Sequence, residues 1–152
     1  MRRYIIDGNN LIGKIKSLQQ LQRTDKQSAR EKLALILESF FRGKKTRVSL
    51  HFDGFQNTPI KMAAAKIIYS ENKSADDRIK AEISASKNPK LITVITSDNN
   101  LREFARVCSA SVITAEDFAA ELRKRNDKDE EEQRIRDMNN VEEFKRIFNV
   151  KK

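Results

Sequence analysis

Tyr4-Ile5-Ile6-Asp7-Gly8-Asn9-Asn10-Leu11-Ile12-Gly13 opens the chain with an apolar run that stops on an acid and a turn dipeptide. Its apolar residues are continuous rather than alternating, the mark of a strand covered on both faces. Four further runs read the same way: Val48–Phe52, Ile67–Tyr69, Leu91–Ile95 and Val112–Ile113. Between them the period changes to that of helices. Ala29–Phe41 places Leu33, Ile36, Leu37, Phe40 and Phe41 at helical spacing before the stop signal Gly43, and Ser28 with Glu31 forms a capping box at its start. Ser74 with Asp77 and Thr114 with Asp117 cap two more helices, and Leu101–Val107 has the spacing of a short one. Strands alternating with helices predict an α/β domain on a mainly parallel five-stranded sheet. Pro59 and Pro89 fall between elements, and Gly54–Ala65 reads as a mobile loop with room for one helical turn.

After about Leu122 the character changes. Arg123–Asp137 is almost wholly charged and prolongs the helix begun near Ala115, held by i,i+4 ion pairs. Asn140 then reads as the cap of a separate amphipathic helix, Val141–Val150, with Val141, Phe144, Ile147 and Phe148 on one face. That face calls for cover, by its own domain, by a second copy of the chain or by another protein. Residues 1–122 therefore read as the domain and 123–152 as a helical extension.

Composition narrows the function. The chain of 152 residues has 31 Lys+Arg against 22 Asp+Glu, a net charge of +9. Residues 1–121 hold 21 basic and 14 acidic side chains, so most of the excess belongs to the domain. A basic surface favours a polyanion such as nucleic acid. The single Cys108 excludes an intrachain disulfide framework and a Cys-based zinc site, and the lone His51 excludes a His-rich one. No apolar run approaches the ~20 residues that span a bilayer. The expectation is a cytoplasmic domain without membrane contact.

The acids are placed with regularity. Asp7 follows the first strand, Asp53 the second, and Asp98 the fourth, while Asp76-Asp77 open the helix after the third. In open parallel sheets ligands bind beyond the carboxyl ends of the strands, so a parallel sheet brings all four sites to one edge. Each acid also has a plain structural use: Asp7-Gly8 and Asp53-Gly54 are turn dipeptides, Asp77 is a capping partner, and Asp98 can cap its helix. Clustered carboxylates repel, by roughly 4 kcal/mol for a pair ~4 Å apart at an effective dielectric near 20. A divalent cation relieves that repulsion, and oxygen ligands suit Mg²⁺ or Mn²⁺. Such an ion activates water and stabilises charge on a phosphodiester. Arg78 and Arg102, within a turn of Asp76 and Asp98, are candidates for substrate phosphates or for ordinary ion pairs.

Four stretches in order resemble a known family: Ile5-Ile6-Asp7-Gly8-Asn9-Asn10-Leu11-Ile12-Gly13, Val48-Ser49-Leu50-His51-Phe52-Asp53-Gly54, Ser74-Ala75-Asp76-Asp77-Arg78-Ile79, and Val94-Ile95-Thr96-Ser97-Asp98. They are similar to the YacP-like branch of the NYN domains, within the PIN-like ribonuclease superfamily, over about residues 3–122. The resemblance implies a three-layer α/β/α fold and a metal-dependent endoribonuclease that cleaves RNA with metal-activated water. It makes Asp7, Asp76 and Asp98 the principal metal carboxylates, with Asp53 a ligand or its neighbour. It gives Asn10 the task of orienting Asp7 or holding a water, and Ser97 a hydrogen bond within the site. Asp77 stays open between cap and ligand. Asn9 departs from the pattern, since an aromatic often stands there. No residue is an obvious general base, because His51 lies mid-strand and reads as packed.

Other readings of the same residues remain. The chain could be a module that holds RNA or the ribosome without cutting; the three retained acids count against that. A phosphoacceptor domain would want an acidic pair after the first strand and a late lysine, and neither is present. DNA in place of RNA, mRNA or ribosome-associated RNA as the substrate, and a toxin-type use stay open.

Overall fold

A computed structural model describes the backbone of residues 1–149 and the side chains up to residue 147. The elements run β1 (Arg2–Asp7), α1 (Gly8–Ile12), α2 (Lys16–Thr24), α3 (Lys26–Phe41), β2 (Thr46–Phe52), β3 (Lys66–Tyr69), α4 (Ala75–Ala85), a 3₁₀ turn (Pro89–Leu91), β4 (Ile92–Ile95), α5 (Asn99–Val107), β5 (Ser111–Ile113) and α6 (Ala115–Asn149). All five strands lie in one sheet of order β3-β2-β1-β4-β5, and every neighbouring pair is parallel. Every strand end that carries an acid therefore opens on one edge. The helices cover both faces, giving the three-layer α/β/α fold.

The two faces are legible in β1. Ile5 packs with Ile79 and Ile83 of α4, Leu101 and Ala105 of α5, and Ile92 and Val94 of β4, all buried. Tyr4 points the other way, its ring 5.2 Å from that of Phe41 in α3, and Phe40 meets Phe118 edge-on at 5.3 Å. One-residue alternation thus sends successive β1 side chains into different cores. A buried polar group crosses the α4 side: Glu82 takes hydrogen bonds from Ser49 Oγ (2.9 Å) and lies 2.8 Å from both His51 Nε2 and Arg3 Nη2. His51 is buried and packed, as its mid-strand position implies. Burial alone would raise the Glu82 carboxyl, but the bonds from His51 and Ser49, with the charges of His51 and Arg3, hold it below its usual value. Its contribution to stability is thus present above the ordinary carboxylate range and fades as pH falls through the lowered value. Breaking such a group strands the remaining partners, so Glu82→Gln is expected to cost about 3 kcal/mol in urea unfolding at pH 7. A loss below about 1 kcal/mol would show that the partners find other bonds.

Four details differ from expectation. Helix α3 starts a turn early: Asp25, not Ser28, is its cap, accepting from Ser28 N at 3.0 Å and from Ser28 Oγ at 2.6 Å. The stretch after β1 adds two helices, α1 and α2, that sparse apolar spacing hides; Leu18 is the one buried residue of α2. The Gly54–Ala65 segment contains no helical turn and is tied to α3. Arg30 donates to the carbonyls of Asp53 and Phe55, Gln27 to that of Thr58, and Glu38 accepts from the amides of Ala63 and Ala64. Asn140 caps nothing, because α6 continues through it to Asn149.

The chain divides after Ala119 into two units, and the described part of the second is the rest of α6. Its charged stretch carries the i,i+3 pair Glu131–Arg134 at 3.6 Å and amide–carboxylate contacts such as Gln133–Asp137 at 3.0 Å. Val141, Phe144 and Ile147 are more than half exposed; the Phe148 side chain and Val150 of the expected tail helix lie outside the described residues. Among the described residues no helix is long and apolar enough to cross a membrane.

Candidate active site

Asp7 is the last residue of β1 and is 5% exposed. Burial pushes its carboxyl up to about 6, and the charges of Asp76 and Asp53 add to the rise. Two influences pull the other way: Thr96 Oγ1 donates to Asp7 Oδ2 at 3.0 Å, and the backbone N–H of Asn10 favours the charged form. Asp76, in the first turn of α4, is raised by burial and then by the charge of Asp98, against the pull of Lys80, with Asp53 and Asp77 adding further. Asp7 thus feels the charges of Asp76 and Asp53, and Asp76 those of Asp98 and Asp53. Asp77, by contrast, sits where its backbone N–H donates to Ser74 Oγ at 3.0 Å, closing the expected cap.

Two of the four acids are partly committed. Asp53 Oδ1 accepts from Ala75 N at 2.8 Å, which links the β2 turn to the start of α4. Asp98 Oδ1 accepts from Leu101 N at 2.9 Å and caps α5. Each keeps its other oxygen for a further partner. Among the described residues no three Asp, Glu, His or Cys side chains form a ready-made metal cage. The donor set is still suited to a hydrated ion, since Mg²⁺ takes one or two carboxylates and keeps several waters. Burial first and the neighbouring acids second lift Asp7 and Asp76, and a bound cation would offset both effects.

The turns are set by the asparagines of α1. Asn9 Oδ1 accepts from Asp53 N at 2.9 Å, and Asn10 Oδ1 accepts from Ser97 N at 2.8 Å. One side chain therefore fixes the turn after β2 and its neighbour the turn after β4. The Asn9 amide braces the turn that carries Asp53, and the Asn10 amide steers the turn that carries Asp98. Loss of either anchor lets an acid drift, and displacements near 1 Å cost up to ~100-fold. Asn9→Ala and Asn10→Ala are each expected to lower kcat on RNA at least about tenfold with little change in KM. A rise in KM alone would place these residues on the substrate instead.

Ser97 has its hydroxyl occupied: it donates to Glu116 Oε2 at 2.6 Å and accepts from Ala115 N at 2.9 Å. Glu116 also pairs with Lys14 at 3.0 Å, and the Ser97 bond, with Lys14 behind it, pulls its carboxyl down to about 2. Arg78 donates to the Ser70 carbonyl through Nε and Nη2, both at 3.3 Å, so it braces the β3–α4 turn. Arg102 Nη1 reaches Asn99 Oδ1 at 3.3 Å, along its own helix. Both arginines make protein contacts, the alternative the sequence held open beside phosphate binding.

Thr96, Glu116 and Lys14 are the residues that sequence reasoning left without a role, and Asn9 is one it read only as a departure bearing on substrate stacking. Thr96 is fully buried and bridges two acids, since its Oγ1 also accepts from Asp98 N at 3.2 Å. A hydroxyl between an apolar strand and an acid was a visible signal for it. Glu116 and Lys14 had none, because their meeting depends on packing.

Comparison with known proteins follows the same lines. The model of the YacP-like NYN domain matches residues 4–150. A crystal structure of Rae1 (YacP) from Bacillus subtilis, in a tryptophan-to-leucine mutant, superposes with a TM-score of 0.71 at 24% identity, covering 91% of this chain and 84% of that one. A second structure of Bacillus subtilis Rae1 (YacP) gives 0.70 at 23% identity, covering 91% and 82%. No curated protein sequence matches the chain. With its motifs in order, its all-parallel sheet and a family match that spans nearly its whole length, this chain belongs to the YacP-like NYN domain family, a PIN-like nuclease family.

Proposed function

We propose that the chain is a metal-dependent endoribonuclease that hydrolyses RNA phosphodiester bonds with Mg²⁺ or Mn²⁺ at the Asp7, Asp53, Asp76 and Asp98 edge. The observation that carries this reading is Asp7 itself: a buried carboxyl, lifted to about 6, with two neighbouring acids adding to the lift. A protein gains nothing in stability from such a cluster, so its use lies in what it binds. Asp7 and Asp76 would hold the ion, and the free oxygens of Asp53 and Asp98 would orient its waters. When bound, the ion supplies Lewis-acid stabilisation of the charged phosphate and a water of lowered pKa.

The chain's own residues do the rest. Thr96 keeps one Asp7 oxygen fixed and Asn10 sets the Asp98 turn, so the acids are placed before substrate arrives. The net charge of +9 draws in the phosphate backbone, and capture should weaken steeply with salt. Cytoplasmic mRNA or ribosome-associated RNA is the substrate class in keeping with that charge and with the family.

The test is cleavage of single-stranded and structured RNAs with Mg²⁺ or Mn²⁺, beside an Asp98→Asn variant and a DNA control. The expected result is metal-dependent cleavage by the natural chain and almost none by the variant. Equal cleavage by both would expose a contaminant and overturn the reading. Tight RNA binding without cleavage would assign the chain to a binding module of the same fold.

A further inference from the structure

Outside the acid edge, the loop between β2 and β3 borders a half-open cavity of about 280 Å³ lined by Gln56, Pro59, Ile60, Met62, Lys66 and Tyr69, among others. Drug-sized ligands occupy pockets from about 300 Å³ upward, so this cavity suits one flat ring rather than a larger molecule. Long loops without secondary structure inside compact domains are commonly either functional or disordered. This one is pinned to α3 at three places, by Arg30, Gln27 and Glu38. Its cavity is therefore formed before any ligand arrives.

We infer that this cavity is a nucleobase-binding subsite, which takes one unstacked base of the RNA strand whose backbone lies at the acid edge. The inference rests on the nuclease reading and extends it to how the strand is held. Four observations support it. First, the position is right: Gln56 is three residues from Asp53, at most about 11 Å along the chain, and Tyr69 pairs in the sheet with Phe52, the residue before Asp53.

Second, the wall is aromatic and rigid. The Tyr69 ring has the Arg30 guanidinium 5.4 Å from its centroid and the Phe52 ring at 6.0 Å. Single-stranded nucleic acid is commonly held by bases stacked on such rings. Third, the cavity offers polar handles. Gln56, whose side chain carries both a donor and an acceptor, lines the space. Fourth, Lys66 lines the cavity and the chain around it is basic, as suits a phosphate backbone. From Gln56 to Lys73 the chain carries exposed Lys61, Lys66 and Lys73 against a single carboxylate, Glu71, and that lies 3.8 Å from Arg78.

The experiment measures binding, so that it does not depend on cleavage. The full chain carrying Asp98→Asn is titrated into fluorescein-labelled single-stranded RNA decamers in EDTA, read by anisotropy. A matched set replaces one nucleotide at a time by an abasic residue. The expected result is a single abasic position that weakens binding about tenfold, with the others changing it less than threefold. Met62→Trp, which fills the cavity, should weaken binding of the intact RNA about tenfold and remove the penalty at that position. Ile60→Ala, which widens it and leaves the acids untouched, should reduce the penalty in part.

A uniform response to all abasic positions, or a penalty that survives Met62→Trp in a variant with an unchanged circular dichroism spectrum, would overturn the subsite. Absence of any RNA binding would overturn it too. Because cleavage by the natural chain is scored separately, a failed subsite leaves the nuclease reading standing. Conversely, RNA that binds with a base-specific penalty but is never cut leaves the subsite standing and removes the nuclease.

Discussion

Asp7→Asn is expected to abolish RNA cleavage and, without added metal, to make the protein more stable at pH 7. The two effects have one cause. Asp7 is ionised at pH 7 inside a site that resists its charge, with its carboxyl pushed up from 3.8 to about 6. Between those values the folded state binds the Asp7 proton more tightly than the unfolded state does. The stabilising share of that proton is thus complete below about pH 4 and is lost as pH rises through about 6. Over the full span it amounts to about 3 kcal/mol, at 1.36 kcal/mol per pKa unit.

Asparagine keeps the shape and removes the charge. The variant should therefore match the natural chain near pH 4 and exceed it by about 1–3 kcal/mol at pH 7, in metal-free urea unfolding. Millimolar Mn²⁺ should raise the Tm of the natural chain, because an ion that binds only the folded state stabilises it by mass action. The same ion should leave the variant almost unmoved. Cleavage should fall by about a hundredfold or more, the usual scale for loss of a group that stabilises charge in the transition state. A variant less stable than the natural chain at pH 7 would show that the Asp7 charge is already compensated by the protein. Stability set against activity at one residue is what a functional carboxylate in a buried place predicts.

The architecture was readable because it rests on short-range pattern. Continuous apolar runs such as Val48–Phe52 declare strands covered on both faces, and parallel pairing follows from the helices between them. Parallel pairing in turn carries Asp7, Asp53 and Asp98 to one edge whatever else they do. Helix α1 was hidden because it is only five residues long, and α2 because Leu18 and Leu21 are the only apolar residues among its nine. Asn140 misled because a capping residue followed by an amphipathic stretch says that a helix can begin there, not that the previous one has ended. The anchors of the site were the least legible part. Asn9 reaches a residue 44 positions away, and Ser97 meets Glu116 only because β5 brings the start of α6 beside the β4 turn. Such contacts depend on the packed chain, and local spacing contains no trace of them.

Gly8 is the sharpest case of a residue whose reason changed. As half of Asp7-Gly8 it reads as a turn glycine, wanted for backbone freedom. Instead it starts α1, and its place is decided by space: a Cβ there would lie 2.6 Å from the His51 carbonyl oxygen and 2.7 Å from the Phe52 ring. Neither neighbour can yield cheaply. The His51 backbone is part of the ladder between β1 and β2, and Phe52 is fully buried. Overpacking a core commonly costs 1–3 kcal/mol, and with a sheet backbone atom in the way Gly8→Ala is expected at the top of that range, about 3 kcal/mol. Cleavage should fall with it, since Asp7 and Asn9 flank the strained residue. Gly13, five residues on in the same motif, is the control. It has φ −63° and ψ −17°, and its added Cβ would come no nearer than 3.4 Å to the Asn10 carbonyl oxygen. Gly13→Ala should therefore be neutral or stabilise by up to about 1 kcal/mol through the unfolded chain. Urea unfolding of the two variants side by side decides the matter: equal losses would return Gly8 to the role of a turn residue, whereas a loss confined to Gly8→Ala means that the motif keeps this glycine so that β1 and α1 can close against β2 beside the acids.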